Sequence, residues 1–176
     1  MINGSIVLTA HRRPTYLRES LESWRKVRGV EDWRFYVFLE PTDRTEKMYE
    51  VLNDFDDIID GVVLNEEKLG VLKNPHKAMS QSFESSADFT VLAEEDIVVT
   101  SDVLEYFTWT AETLRDDKKI LAALGWSDHL YENDAQFSEV QTLEWFNPLI
   151  WGTWRDRWDE VLSPTWDFDY SWDGWD

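Results

Sequence analysis

Cysteine is absent from the 176 residues. That excludes disulfides and thiol chemistry, means that a zinc site would need other ligands, and fits a reducing compartment. Positive charge is scarce: 17 Lys and Arg face 36 Asp and Glu, a formal net charge of −19. A chain this acidic has no general electrostatic grip on nucleic acid or an anionic membrane, although His11-Arg12-Arg13 makes a local basic patch. Long hydrophobic runs are missing too. Met1-Ile2-Asn3-Gly4-Ser5 has no basic n-region, and the apolar Ile6-Val7-Leu8 soon gives way to His11-Arg12-Arg13. That is neither a signal peptide nor a membrane span, so the expected setting is soluble and cytoplasmic. There is no internal repeat, low-complexity tract or Pro/Gly/Ser-rich linker. What the chain does have is apolar and aromatic bulk, 43% hydrophobic residues with 11 Trp, which excludes a disordered chain. The length suits one domain with a substantial core.

The order of elements is legible from periodicity. Ser5–Ala10 reads as a buried strand, and Pro14 opens a helix whose Leu17, Leu21 and Trp24 share a face. Gly29 closes that helix. A strand over Trp33–Leu39 ends at Glu40-Pro41, a polar helix covers Thr42–Asn53, and a strand lies around Ile58–Leu64. Asn74-Pro75 predicts an N-cap with proline at the first helical position, hence a helix over Pro75–Phe83. Phe89–Ala93 is the next strand, Ser101-Asp102 caps a helix reaching Leu114, and Ile120–Gly125 is a further strand. Residues 127–141 are polar and irregular, and the tail from Trp145 packs tryptophans among carboxylates. The β-α-β-α-β alternation argues for a mostly parallel sheet flanked by helices. Beyond Gly125 the long crossovers stop. Residues 1–125 therefore read as a nucleotide-binding part and residues 126–176 as an acceptor-side part of one domain.

The run Val91-Leu92-Ala93-Glu94-Glu95-Asp96 carries the most functional information. Three adjacent anions repel one another, so a strand end gains no stability from them. At the C-terminal edge of a parallel strand they occupy the place where open α/β sheets bind ligands, and a carboxylate cluster suits a hard divalent cation holding a diphosphate. Three further polar features follow other strands: His11-Arg12-Arg13, Glu40, and Trp126-Ser127-Asp128. Each alone is ordinarily a solvated turn. Together they predict one pocket with cationic and anionic walls.

Longer strings carry a resemblance. Glu94-Glu95-Asp96-Ile97-Val98-Val99-Thr100-Ser101-Asp102-Val103-Leu104-Glu105-Tyr106-Phe107 resembles the Glu-Asp-Asp motif and following helix of the N-acetylglucosaminyltransferase I type of GT-A glycosyltransferase, glycosyltransferase family 13. Trp126-Ser127-Asp128 is similar to that family's Trp-Asn-Asp, and Phe146-Asn147-Pro148-Leu149-Ile150-Trp151 to its Phe-Pro-Gly-Leu-Gly-Trp. Trp158-Asp159-Glu160-Val161-Leu162 through Trp172-Asp173-Gly174-Trp175 follows its Trp-Ala-Glu-Leu to Trp-Asp-Asp-Trp run.

The resemblance implies a GT-A fold and a metal-dependent, inverting transfer from a UDP-sugar to an acceptor hydroxyl. By position it makes Asp96 the ligand of Mn²⁺ (or Mg²⁺). Glu95, with Glu94 beside it, would contact the donor's ribose or sugar, and Glu40 would accept the uracil N3–H. His76 would lie beside the base. Arg12 would neutralise the donor, with Arg13 as the competing choice. The base that deprotonates the acceptor falls at Asp173, with Asp169 and Asp176 as substitutes because Gly174 replaces the family's second aspartate. Trp126, Asp128, Trp151 and Trp172 would line the acceptor side, aromatic faces packing on sugar C–H surfaces. The acceptor itself stays open among a glycan, a protein, a small molecule and a modified nucleic acid. Two other readings stand: a GT-A domain that binds nucleotide or a protein without catalysis, and a viral-type enzyme acting on a modified DNA base.

Overall fold

The computed structural model describes residues 2–126, 140 and 142–168. They build a six-stranded sheet in the order β3-β2-β1-β4-β6-β5. β1 (Gly4–Ala10) is buried at every position and pairs in parallel with β2 (Arg34–Leu39) and with β4 (Phe89–Glu94). β3 (Gly61–Leu64) extends the parallel part beyond β2. The chain thus winds outward from β1 to β3, then returns to lay β4 on the other side of β1. That reversal opens a crevice between the C-terminal ends of β1 and β4, where open α/β sheets take ligands.

Alternation along the strands feeds two cores, because successive side chains point to opposite faces. Ile6, Leu8, Val91 and Ala93 face the larger cluster, while Val7 and Leu92 face the smaller one. The larger cluster is closed by α1 (Pro14–Trp24), α2 (Thr45–Asn53) and α4 (Val103–Thr113), through residues such as Leu21, Met48 and Phe107. The smaller cluster is closed by α3 (Gly70–Glu84), through Ala78, Met79 and Phe83, and by Trp158. The layers are α/β/α, as the alternation predicts.

Several boundaries differ from expectation for local reasons. α2 starts at Thr45 because Thr42–Thr45 form a turn in which Thr45 Oγ1 accepts the Thr42 amide at 2.9 Å. α3 starts at Gly70, and Asn74 does not cap it. Asn74 is buried, accepting from Asn65 Nδ2 at 2.9 Å and donating to the Phe38 carbonyl at 3.3 Å. Pro75 then lies inside the helix. The carbonyl it leaves unpaired belongs to Val71, an exposed residue.

The strand over Ile120–Gly125 shrinks to β5 (Ala123–Leu124). Between it and β4 runs a strand the periodicity did not reveal, β6 (Ile150–Trp154), antiparallel to both neighbours. β6 is buried throughout, so it shows no polar/apolar alternation, and its tryptophans read as part of an aromatic tail. A helical turn, Arg155–Arg157, continues as a π-helical turn over Trp158–Leu162.

β6 is threaded closely. A Cβ on Gly152 would lie 2.5 Å from the Phe89 ring and 3.2 Å from the Thr90 carbonyl. Gly152→Ala is expected to cost about 1–3 kcal/mol through displacement of Phe89, read as a lower urea midpoint at unchanged m-value. Arg157 pins the far side of this layer. Its buried guanidinium donates to the carbonyls of Arg115 at 2.6 Å and Asp117 at 3.1 Å, and lies 4.2 Å over the Trp154 ring.

Candidate functional site

The strand ladders set the site. Beyond the regular pairing, the Glu95 amide donates to the Thr9 carbonyl at 3.0 Å and the Glu40 amide to the Ala10 carbonyl at 2.9 Å. These bonds draw the residues after β1, β2 and β4 to one edge, as the strand-end argument predicts. What they do there differs from residue to residue.

Glu95 is 1% exposed. Its Oε2 accepts the His11 amide at 2.8 Å and its Oε1 accepts Arg13 Nε at 2.6 Å. Its carboxylate ties the end of β1 to the end of β4. Arg13 reaches on through Nη1 to Asp96 Oδ2 at 2.9 Å. Burial lowers the Arg13 pKa, but the hydrogen bonds and charges of Glu95 and Asp96 outweigh it and hold the guanidinium above its ordinary value. Asp96 is exposed. Glu94, half-buried at the last position of β4, is pushed above the ordinary carboxylate range, first by desolvation and then by the negative charge of Asp96.

Asp96 and Glu94 thus present hard oxygen donors at the edge of the sheet. Among the described residues no three carboxylate or imidazole groups close a cage around a metal ion. A hard cation here would take its remaining oxygens from a diphosphate and water, which suits the octahedral preference of Mn²⁺ and Mg²⁺. Desolvation and the Asp96 charge both disfavour the ionised Glu94, and such a cation would offset both. The donor set fits.

Glu40, 3% exposed, is likewise engaged: Oε2 accepts the Leu69 amide at 2.8 Å and Oε1 the Gly70 amide at 2.9 Å. It supplies the cap of α3 that Asn74 was expected to give. Gly70 stands at φ +79°, a left-handed conformation open to glycine and strained for other residues, and this turns both amides toward Glu40. Both Glu40 oxygens thus hold the start of α3.

His76 is drawn elsewhere. Its Nε2 lies 3.0 Å from Ser163 Oγ, with the rings of Trp158, Trp166 and Phe168 at 5.2, 5.7 and 4.9 Å. Burial lowers its pKa. His76 packs against the C-terminal aromatics. Trp151, 1% exposed, belongs to the core with Trp158, so its expected place on an acceptor surface is corrected. Trp126 is 41% exposed and follows β5, which runs in the same direction as β4, so it reaches the same edge as Asp96. Asp128, Trp172 and Asp173, with Asp169 and Asp176, lie outside the described residues.

Two further residues, His11 and Lys68, stand at this edge. The His11 ring sits among Glu40, Glu95 and Lys68, and its pKa is lowered by burial and by the Lys68 charge. The tripeptide His11-Arg12-Arg13 was the signal for His11. Lys68, in the polar loop before α3, carried none. The two arginines differ in their partners: Arg13 bridges the carboxylates, whereas Arg12 borders, with Arg13 and Arg44, an adjoining concavity.

Relatives share this frame. S. aureus TarS 1-349, solved in complex with UDP-GlcNAc, superposes with a TM-score of 0.53 at 17% identity, covering 69% of this chain and 33% of that one. The mannosyltransferase PcManGT from Pyrobaculum calidifontis, solved with GDP-Man and Mn²⁺, gives 0.52 at 15% identity, over 68% and 38%. Both likenesses show the fold, which is GT-A. In sequence, 89 residues are 34% identical to the alpha-1,3-mannosyl-glycoprotein 2-beta-N-acetylglucosaminyltransferase of Arabidopsis thaliana, 48% of this chain and 19% of that protein. The chain thus spans about a fifth of that relative's length. The profile of the GNT-I family matches residues 73–176, from α3 through the carboxylate edge to the tryptophan-rich tail, and the chain belongs to that family.

Proposed function

We propose that this chain is a metal-dependent glycosyltransferase that moves a sugar from a UDP-sugar to an acceptor hydroxyl. The observation that carries the reading is the edge formed by Glu94, Asp96 and Arg13 at the crevice between β1 and β4, an exposed and a half-buried carboxylate beside a guanidinium. Asp96 is the residue to hold Mn²⁺ or Mg²⁺, with Glu94 beside it. When bound, the cation would neutralise the diphosphate as it leaves. Arg13 is the cation to meet the phosphate oxygens, since its Nη1 contact to Asp96 is exposed and exchangeable while its Nε bond to buried Glu95 holds it in place. The UDP-GlcNAc complex of TarS favours a UDP-linked sugar, and the relative's name favours transfer of an N-acetylglucosaminyl group. The inverting course and the base Asp173 rest on the resemblance of Trp172-Asp173-Gly174-Trp175 alone. We place the protein in the cytoplasm from its composition; among the described residues no helix is long and apolar enough to cross a membrane.

A donor panel tests the reading: purified chain, Mn²⁺ or EDTA, several nucleotide sugars, and detection of the released nucleoside diphosphate. Metal-dependent release from one UDP-sugar is the expected result. UDP binding without release from any donor would instead favour a non-catalytic domain, for which the replacement of an aspartate by Gly174 is the motive.

The Glu94 environment gives a pH signature. A carboxyl whose folded pKa is raised binds its proton more tightly in the folded state, so its contribution to stability is present at low pH and fades as pH rises through that pKa. A cation competes with the same proton. Mn²⁺ affinity measured by calorimetry is therefore expected to rise with pH through a range above the ordinary carboxylate value, and this part of the slope disappears in Glu94→Gln.

A further inference from the structure

Beside the carboxylate edge, on the α1 and α2 side, lies a concavity of about 270 Å³ lined by Arg12, Arg13, Pro14, Thr15, Tyr16 and Arg44. Three guanidiniums share one small hollow in a chain of net charge −19. With 36 acidic residues to pair with, other arginines in and just after α1 find partners: Arg18 lies 2.6 Å from Asp54, and Arg25 pairs with Asp57. Arg12 and Arg44 do not. Both are exposed, and among the described residues neither guanidinium has a hydrogen-bond or ion-pair partner; the bond recorded for Arg44 runs from its backbone amide to Thr42 Oγ1 at 3.0 Å.

The same hollow receives the start of an 11-residue helix. α1 has no side-chain cap and no acidic residue in its first turn. Pro14 brings no N–H, and the amides of Thr15 and Tyr16 have no intrahelical acceptor. Those amides and the positive end of the helix dipole belong to residues that border the hollow together with the unpaired cations. Guanidinium forks and backbone amides together match a tetrahedral oxyanion better than a lone carboxylate.

We infer that the Arg12–Arg44 hollow is a phosphate-binding subsite, separate from the donor's diphosphate, that takes a phosphate group carried by the acceptor. This rests on the glycosyltransferase reading. Arg13 is the shared wall, facing Asp96 with Nη1 and the hollow with its other side. A phosphomonoester or phosphodiester seated there would hold its carrier next to the metal-side edge. The hollow is larger than one phosphate and leaves room for part of the group that bears it.

The test is calorimetric titration of the whole chain with inorganic phosphate, in EDTA and again after saturation with UDP and Mg²⁺. Phosphate is expected to bind in both conditions, more weakly as KCl rises. Arg44→Gln should weaken phosphate binding about tenfold, as loss of one charge-assisted contact does, while UDP–Mg²⁺ affinity stays within about twofold. Arg44 is exposed, so the variant should fold, as a matching melting curve would show. No phosphate binding by the wild type, or equal binding by Arg44→Gln, overturns the inference. Displacement of phosphate by UDP also overturns it, assigning the arginines to the donor's own diphosphate. If UDP fails to bind while Arg44-dependent phosphate binding persists, the subsite stands and the donor reading falls.

Discussion

Asp96→Asn is expected to lower metal-dependent transfer, or donor hydrolysis, by about 100-fold or more while leaving the fold intact. A hard cation contributes several kcal/mol by holding charge on the leaving diphosphate, and each 1.4 kcal/mol is roughly tenfold in rate. The amide is nearly the same size as the carboxylate but carries no charge and is a poor ligand for Mn²⁺. Structural damage is small because Asp96 is exposed and its one recorded side-chain bond goes to Arg13, itself 43% exposed. Such pairs contribute about 0–1 kcal/mol. Activity measured against Mn²⁺ concentration, with circular dichroism as the folding control, checks this. Full activity in Asp96→Asn would remove the metal from the mechanism.

Glu95→Ala is expected to do the reverse, acting first on stability. The substitution strips the buried acceptor from the His11 amide and frees Arg13 from its anchor. The orphaned amide is the larger cost, since the ion-pair share is screened at the exposed Arg13. Together they amount to about 2–3 kcal/mol, or roughly 4–12 °C in melting temperature for a chain of this size. Donor affinity should fall too, because Arg13 loses the bond that aims it. Glu95→Gln retains an acceptor oxygen and should recover a large part of the stability. A melting temperature unchanged in Glu95→Ala would show that the tie between β1 and β4 carries little.

These two neighbours show how far the sequence reaches. Glu94, Glu95 and Asp96 form one acidic string, and its position after an apolar, β-prone run places it at a ligand-binding edge. Which carboxylate is buried and which is exposed depends on Arg13 and His11, more than 80 residues earlier in the chain. Periodicity cannot report a bond across that separation. α3 teaches the same lesson. Asn74-Pro75 has the pattern of a helix start, yet the start is fixed by Glu40, whose buried carboxylate holds the Leu69 and Gly70 amides. The tertiary bond overrides the local signal.

Composition and order determined the class of this protein. A β-α-β alternation rich in apolar residues, with no cysteine and no long hydrophobic run, leads to a doubly covered, mostly parallel sheet. The strand ends led to the carboxylate edge because parallel strands of one sheet must finish together. Only the tertiary structure decided that β6 slips between β4 and β5, that Trp151 belongs to the core, and that His76 is walled by aromatic rings. It also separated Arg13, on the carboxylates, from Arg12, in the arginine hollow. A sequence records which side chains are available. Which of them become partners is set by packing between segments far apart in the chain, and there two adjacent arginines can acquire different chemistry.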